Sequence, residues 1–345
     1  MEVVLIIIGF ILLIKASDFF VDAAVKIAEF FSISEVVIGA TIVSIGTTLP
    51  ETMVSATSAF KGHGDISYGN ALGSIICNTA LIAATSLVFS PSVVNKKSLK
   101  IPVAFFFSSF AVYAIFAYFF NGFSRLAGII LVSIFIIYVI CIIRSNANKD
   151  VDLIASDDTN VDNISNIVSD KESKSDTVVD DAHSNSIIIK SIIILIISAT
   201  VIAFASNLLV DNGTILARKY GVPESVIGLT LIAFGTSLPE FSTAITSLVK
   251  GHSNLSLGNI IGANFFNVVL VTGLAAIVGP FKIPIDRTIN GINSSFIIDI
   301  PLSLLVMLIL CIPSILNGKT KRWQGILLYA LYALFLFYQF SFGMQ

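Results

Sequence analysis

Two glutamates in this sequence stand in nearly identical surroundings. Gly46-Thr47-Thr48-Leu49-Pro50-Glu51 recurs as Gly235-Thr236-Ser237-Leu238-Pro239-Glu240. A proline within a helix removes an amide donor and frees the carbonyl four residues earlier, and a threonine four residues before a glutamate shares its helix face. Each motif therefore predicts a cluster of carboxylate, hydroxyl and carbonyl oxygens, which are the ligands of hard cations such as Ca²⁺ and Na⁺.

Both glutamates lie in long apolar stretches, where an ionised carboxylate is costly and by default indicates a functional site. Two such groups brought together repel each other unless a divalent cation, several monovalent cations or protons compensate them. Neither glutamate motif contains Cys or His, which argues against zinc or copper. The alternative interpretation is a pair of neutral glutamic acids hydrogen-bonded to helix backbones.

A second duplicated motif follows each glutamate. Gly69-Asn70-x-x-Gly73-Ser74-x-x-x-Asn78 corresponds to Gly258-Asn259-x-x-Gly262-Ala263-x-x-x-Asn267. Each contains glycines spaced for close helix contact. Since residues four apart share a helix face, Asn78 is predicted to lie beside Ser74, and Asn267 beside Ala263.

The elements that carry these motifs must lie in a membrane. Of 345 residues, 55% are hydrophobic and only 12% are charged, which excludes an ordinary soluble domain. A net charge of −2 does not support nucleic-acid binding, and no cofactor is expected. Apolar runs long enough to cross a bilayer predict ten spans, at about 3–30, 34–59, 66–90, 101–120, 124–143, 187–217, 223–249, 255–279, 293–315 and 323–342.

Residues 145–186 differ from the rest because they are rich in Asp, Ser, Asn and Lys. Such a composition cannot bury enough apolar surface to fold alone. We therefore expect two five-helix units, 1–144 and 187–345, joined by an acidic linker over 145–186. The distribution of Lys and Arg favours both termini outside and the linker in the cytoplasm, with a prokaryotic plasma membrane as the expected location.

The two units are related by an internal repeat. Residues 35–79 align without a gap to residues 224–268, and 20 of the 45 positions are identical. With five spans per unit, the second unit begins on the opposite side of the membrane, so the fold is predicted as an all-α polytopic membrane protein with two inverted repeats. Inverted repeats are typical of transporters that expose a midplane site alternately to each side. A cation channel and an intramembrane enzyme are the alternatives.

These motifs resemble the alpha repeats of the calcium/cation antiporter superfamily, and in particular those of sodium/calcium exchangers. The resemblance implies that Glu51 and Glu240, with the main-chain oxygens of Thr47 and Thr236, bind Ca²⁺. It implies that Asn78 and Asn267 complete this central position. It further implies flanking Na⁺ sites to which five residues contribute: Ser44, Thr48, Ser74, Ala233 and Ser237.

Two departures from the family pattern affect the counter-ion. Ala263 stands where many members have a hydroxyl, and Asn267 stands where some have Asp. The expected activity is Ca²⁺ export in exchange for Na⁺, with Ca²⁺/H⁺ exchange as the close alternative because the two glutamates could carry protons. The expected partners are Ca²⁺, Na⁺ and the lipid bilayer.

Overall fold

The protein is built from helices joined by short turns. The computed structural model describes residues 2–157, 181–220, 233–284, 288–289 and 291–343. Within these ranges the helices are α1 (Glu2–Phe30), α2 (Glu35–Phe60), α3 (Gly64–Phe89), α4 (Lys96–Phe120), α5 (Arg125–Asp157), α6 (Asp181–Lys219), α7 (Ala233–Thr236), α8 (Leu238–Val249), α9 (Ser253–Val278), α10 (Ser295–Asn317) and α11 (Arg322–Gly343).

Eight of the described helices are long and apolar enough to cross a membrane, namely α1 to α6, α9 and α10. Of the other two predicted spans, 223–249 is described only from residue 233, as α7 and α8, and 323–342 coincides with α11. Large apolar side chains face outward along these helices, as on α5 with Leu126, Ile129, Ile137 and Ile143. Such surfaces suit lipid rather than water, and the predicted all-α membrane fold is confirmed.

The predicted linker overlaps two helices. The backbone of α5 continues to Asp157 and that of α6 begins at Asp181, so both extend into residues 145–186. A helix satisfies its own backbone hydrogen bonds and can therefore run on past the apolar segment into polar sequence. Residues 158–180, the middle of the predicted linker, lie outside the described residues.

Short antiparallel strands join some helix ends. β1 (Gly122–Phe123), between α4 and α5, pairs with β2 (Phe281–Lys282), which follows α9. β3 (Thr288–Ile289) pairs with β4 (Ile292–Asn293) before α10. These two-residue ladders connect helix ends and leave the architecture helical.

The buried apolar side chains form two separate clusters. One is made mainly by α1 and α6, which we call the helix pair, and includes Phe20 and Ile202. The other joins α2 to α5 with α8 to α11, which we call the bundle, and includes Phe106 and Phe265. The first cluster also contains side chains of α2, α8 and α9, such as Ile38, so it forms the interface along which the helix pair packs against the bundle.

The two helices of the pair run in opposite directions. Lys219 Nζ, at the end of α6, lies 2.8 Å from Glu2 Oε1 at the start of α1. Farther along, Gly9 of α1 faces Leu209 and Ala205 of α6. Because α1 and α6 begin the two repeat units, this antiparallel packing is the arrangement that inverted repeats predict.

Local structure also repeats between the units. The turn after α2 contains Gly62 at φ 85°, and the turn after α8 contains the equivalent Gly251 at φ 84°. A positive φ of this size favours glycine. Likewise, α3 changes to a π-helical segment at Asn78, and α9 changes to one at the equivalent Asn267. The sequence repeat is therefore also a repeat of backbone conformation.

Helix α9 lies at the centre of the bundle. Gly258 packs against the backbone of Val36, and Gly262 against that of Ala40, so α9 and α2 run parallel in close contact. This confirms for α9 the close packing predicted from its glycine spacing. The positions equivalent to Val36 and Ala40 fall in residues 221–232, outside the described residues.

Candidate cation site

Glu51 and Glu240 meet inside the bundle. Helix α2 carries Glu51 and α8 carries Glu240, and both side chains are 0% exposed. Glu240 accepts a hydrogen bond from Thr48, which lies one turn before Glu51 on α2. The repeat thus brings together, from opposite units, the two acids singled out in the sequence.

The threonines before the glutamates bridge the two repeat units. Thr48 Oγ1 donates to Glu240 Oε1 at 3.2 Å. Thr47 Oγ1 donates to Asn259 Oδ1 at 3.3 Å, and the equivalent Thr236 Oγ1 donates to Asn70 Oδ1, also at 3.3 Å. These last two bonds are related by the repeat, and they fix each glutamate-bearing segment to the asparagine-bearing helix of the other unit.

The roles of Asn70 and Asn259 were not among the sequence predictions. Asn70 Nδ2 also donates to Glu51 O at 3.2 Å and to Ser55 Oγ at 2.8 Å. Asn259 Nδ2 donates to Thr243 Oγ1 at 3.0 Å. Asn70 and Asn259 occupy equivalent positions in the two repeat units. The sequence could have indicated their importance, because a polar residue that recurs at the same position of two apolar helices is unusual.

Several buried polar atoms at the predicted site have no hydrogen-bond partner among the described residues. They are both carboxylate oxygens of Glu51, Glu240 Oε2, Ser237 Oγ and the side-chain oxygens and nitrogens of Asn78 and Asn267. Each buried polar group left unsatisfied costs about 1–3 kcal/mol. Native proteins avoid such costs by binding ions or water, so this set of oxygens fits a site that receives cations.

The helix carrying each glutamate is irregular, but not in the same way. Pro50 lies inside α2, which continues through it after a π-helical segment at Gly39–Val43. In the second unit the helix is interrupted at Ser237, and Pro239 lies in the first turn of α8. Proline is tolerated in a first helical turn because that amide has no helical acceptor. The two proline motifs, although nearly identical in sequence, therefore differ in helix geometry.

Irregular backbone in α2 is satisfied by neighbouring hydroxyls. Tyr138 on α5 donates to Ala40 O at 2.8 Å, and Ser44 Oγ donates to Gly39 O at 2.7 Å. Non-helical backbone at membrane depth requires such partners. The Ser44 hydroxyl is therefore engaged within α2, beside Gly262 of α9.

The other predicted site residues fall around this centre. Ser74 is buried on α3, one turn before Asn78. Ala233 begins α7, and its side chain is outside the described set. Ala263 is completely buried on α9, one turn before Asn267. Among the described residues, no group of three His, Cys, Asp or Glu side chains converges.

The fold is that of a polytopic all-α membrane protein whose two units are related by an internal repeat. A sequence model of the sodium/calcium exchanger protein family matches residues 1–144 and 190–341. The chain belongs to this family, whose members are membrane antiporters rather than enzymes.

Individual relatives extend over nearly the whole chain. The sodium/calcium exchanger MaX1 of Methanosarcina acetivorans is 29% identical over 354 residues, covering 96% of each protein. Inner membrane protein YrbG of Escherichia coli is 32% identical over 282 residues, covering 81% of this chain and 80% of YrbG. The sodium-calcium exchanger NCX_Mj, in a structure soaked with 10 mM Na⁺ and zero Ca²⁺, matches with a TM-score of 0.75 at 29% identity and covers 96% of this chain and 97% of that one.

Proposed function

We propose that this antiporter exports Ca²⁺ in exchange for Na⁺. The observation that carries the proposal is the buried pair of Glu51 and Glu240, whose carboxylate oxygens are largely unpartnered among the described residues. Two carboxylates are neutralised by one Ca²⁺ or by two Na⁺. Because both cations need the same two groups, binding of one displaces the other, and this competition couples their movements.

The proposed ligands are those that the resemblance to sodium/calcium exchangers implies. For Ca²⁺ they are Glu51, Glu240 and the main-chain oxygens of Thr47 and Thr236, completed by Asn78 and Asn267. For the flanking Na⁺ ions they include Ser44, Thr48, Ser74, Ala233 and Ser237. Carboxylate, carbonyl and hydroxyl oxygens are the ligands that both cations prefer.

Ca²⁺/H⁺ exchange is the second candidate, and one observation favours it. Ala263 offers no hydroxyl at the position where the first unit has Ser74, and both are buried. The second unit therefore has one oxygen fewer for Na⁺, whereas protons need only the carboxylates.

One experiment distinguishes the two counter-ions. Purified protein in sealed vesicles is given Ca²⁺ outside and either an outward Na⁺ gradient or an outward proton gradient, with the membrane voltage clamped. We expect Ca²⁺ uptake under the Na⁺ gradient alone. Uptake that follows only the proton gradient would replace Na⁺ by H⁺, and uptake without any counter-ion gradient would indicate a channel.

The proposed orientation is that of a plasma-membrane protein with both termini outside. The acidic linker over 145–186 then lies in the cytoplasm. The support is the excess of Lys and Arg in the connections assigned to the inner face.

A further inference from the structure

Lys250 of the bundle forms ion pairs with α1 of the helix pair. Lys250, in the turn after α8, has its Nζ 2.8 Å from Asp22 Oδ1 and 3.7 Å from Asp18 Oδ1 on α1. The same ammonium group donates to the main-chain oxygen of Asp18 at 2.9 Å. Deeper in the protein, Ser17 Oγ donates to Ser242 Oγ at 2.8 Å. These contacts all join α1 to the α8 segment.

The repeat-equivalent groups at the other end are not joined. Lys61 follows α2 as Lys250 follows α8, and Asp211 on α6 corresponds to Asp22 on α1. Among the described residues, neither Lys61 nor Asp211 has an ion-pair partner within 4.0 Å. Ser206, the equivalent of Ser17, is buried, and its hydroxyl has no partner in the described part of the chain.

The two ends lie on opposite sides of the molecule. Asp22 is near the end of α1, and Asp211 is near the end of α6. Because these helices are antiparallel, as the Lys219–Glu2 contact shows, the two aspartates are near opposite membrane faces. One face therefore has a formed lysine–aspartate contact, and the other has the same residues apart.

We propose that Lys250–Asp22 and Lys61–Asp211 form alternately, as a two-sided latch that holds the helix pair at one face or the other. Helices α1 and α6 contact each other along their length, and the bundle has a separate apolar core, so the pair can shift against the bundle as a unit. Inverted repeats make the contact formed at one face available at the opposite face after the shift. Exposed ion pairs contribute little stability, so either latch can open in each transport cycle.

This proposal rests on one part of the proposed function, namely that the site is exposed alternately to each side of the membrane. It does not depend on whether Na⁺ or H⁺ is the counter-ion. It adds a role for Asp22 and Lys250, which lie outside the cation site. The partly exposed side chains, 25% for Lys250 and 53% for Asp22, are compatible with a contact that water can enter and break.

Crosslinking tests both latches directly. Cys77, Cys141 and Cys311 are free thiols and are replaced by Ala. Cysteines are then introduced as Asp22→Cys with Lys250→Cys, or as Asp211→Cys with Lys61→Cys, and the full-length protein in vesicles is treated with a short bis-maleimide. Asp22→Cys with Lys61→Cys is the matched control, since those residues lie near opposite faces.

We expect both repeat-related pairs to crosslink and the control pair not to. We further expect each crosslink to stop exchange of labelled for unlabelled Ca²⁺. Failure of the 61–211 pair to crosslink in any of Na⁺, Ca²⁺ or cation-free buffer would overturn the latch, as would full exchange in protein crosslinked at 22–250. Crosslinking is read from gel mobility and needs no transport, so a failed counter-ion assignment would not be mistaken for a failed latch.

Charge removal gives an independent result. Lys250→Gln should raise the crosslinking rate of the 61–211 pair by roughly two- to fivefold, the range expected for an exposed ion pair. Lys15→Gln, which removes an exposed charge from α1, should leave that rate unchanged. Equal rates in the Lys250→Gln and Lys15→Gln proteins would contradict the proposal.

Discussion

Two asparagines, Asn70 and Asn259, determine where the threonines beside the glutamates lie. Replacing Asn259 by Leu removes the acceptor of Thr47 and the donor to Thr243. Losing a buried hydrogen bond costs about 1–3 kcal/mol, so we expect roughly a tenfold loss in apparent Ca²⁺ affinity, measured as the Ca²⁺ dependence of uptake.

Asn70→Leu should have a similar effect through Thr236, because the two bonds are related by the repeat. Asn317→Leu is the control, since its amide is exposed and donates to Pro313 O at the end of α10, away from the site. Unchanged Ca²⁺ dependence in both site variants would show that these asparagines do not position the ligands.

At the residue scale the sequence was informative about the acids and less so about their supports. Glu51 and Glu240 could be found because carboxylates are rare in apolar spans and these two match under the repeat. The partners of Thr47 and Thr236 could not be found, because each bond joins residues of different units, and spacing along one helix says nothing of contacts between distant segments.

The element that most constrains the site is α9, whose glycines bring it against α2. An added Cβ at Gly262 would lie 2.6 Å from Ala40 Cα, and at Gly258 it would collide with the Val36 backbone. Backbone cannot move aside as a side chain can, so Gly262→Ala should destabilise the protein by about 1–3 kcal/mol, visible as a lower midpoint of thermal unfolding in detergent.

A control for added volume is available on α4. Ala111 is exposed on a membrane-spanning helix, so Ala111→Leu enlarges a side chain without a packing conflict and should leave the unfolding midpoint unchanged. Equal midpoints for Gly262→Ala and the unmodified protein would mean that α9 and α2 are not in close backbone contact.

Helix positions were predictable from apolar runs, but helix irregularities were not. The sequence of the two proline motifs is nearly the same, yet α2 continues through Pro50 while the second unit is interrupted at Ser237. Local sequence gives both motifs the same tendency to break. Which helix is interrupted depends on tertiary packing, and that packing differs between the units.

For the whole molecule, the orientation in the membrane is a testable consequence of the charge distribution. In protein lacking its native cysteines, Lys282→Cys should react with a membrane-impermeant maleimide in intact cells. Lys97→Cys should react only after the membrane is opened. The reverse pattern would place the termini inside and the linker outside.

We propose that one pair of carboxylates serves both transported cations. The most direct measurement is Na⁺-driven Ca²⁺ uptake by Glu51→Gln and Glu240→Gln proteins in vesicles, beside Glu29→Gln, which changes an acid at the exposed end of α1. We predict no uptake above that of protein-free vesicles for Glu51→Gln or Glu240→Gln, because each of these variants leaves only one carboxylate to bind a divalent ion. We predict normal uptake for Glu29→Gln. Near-normal uptake by Glu51→Gln or Glu240→Gln would contradict the account.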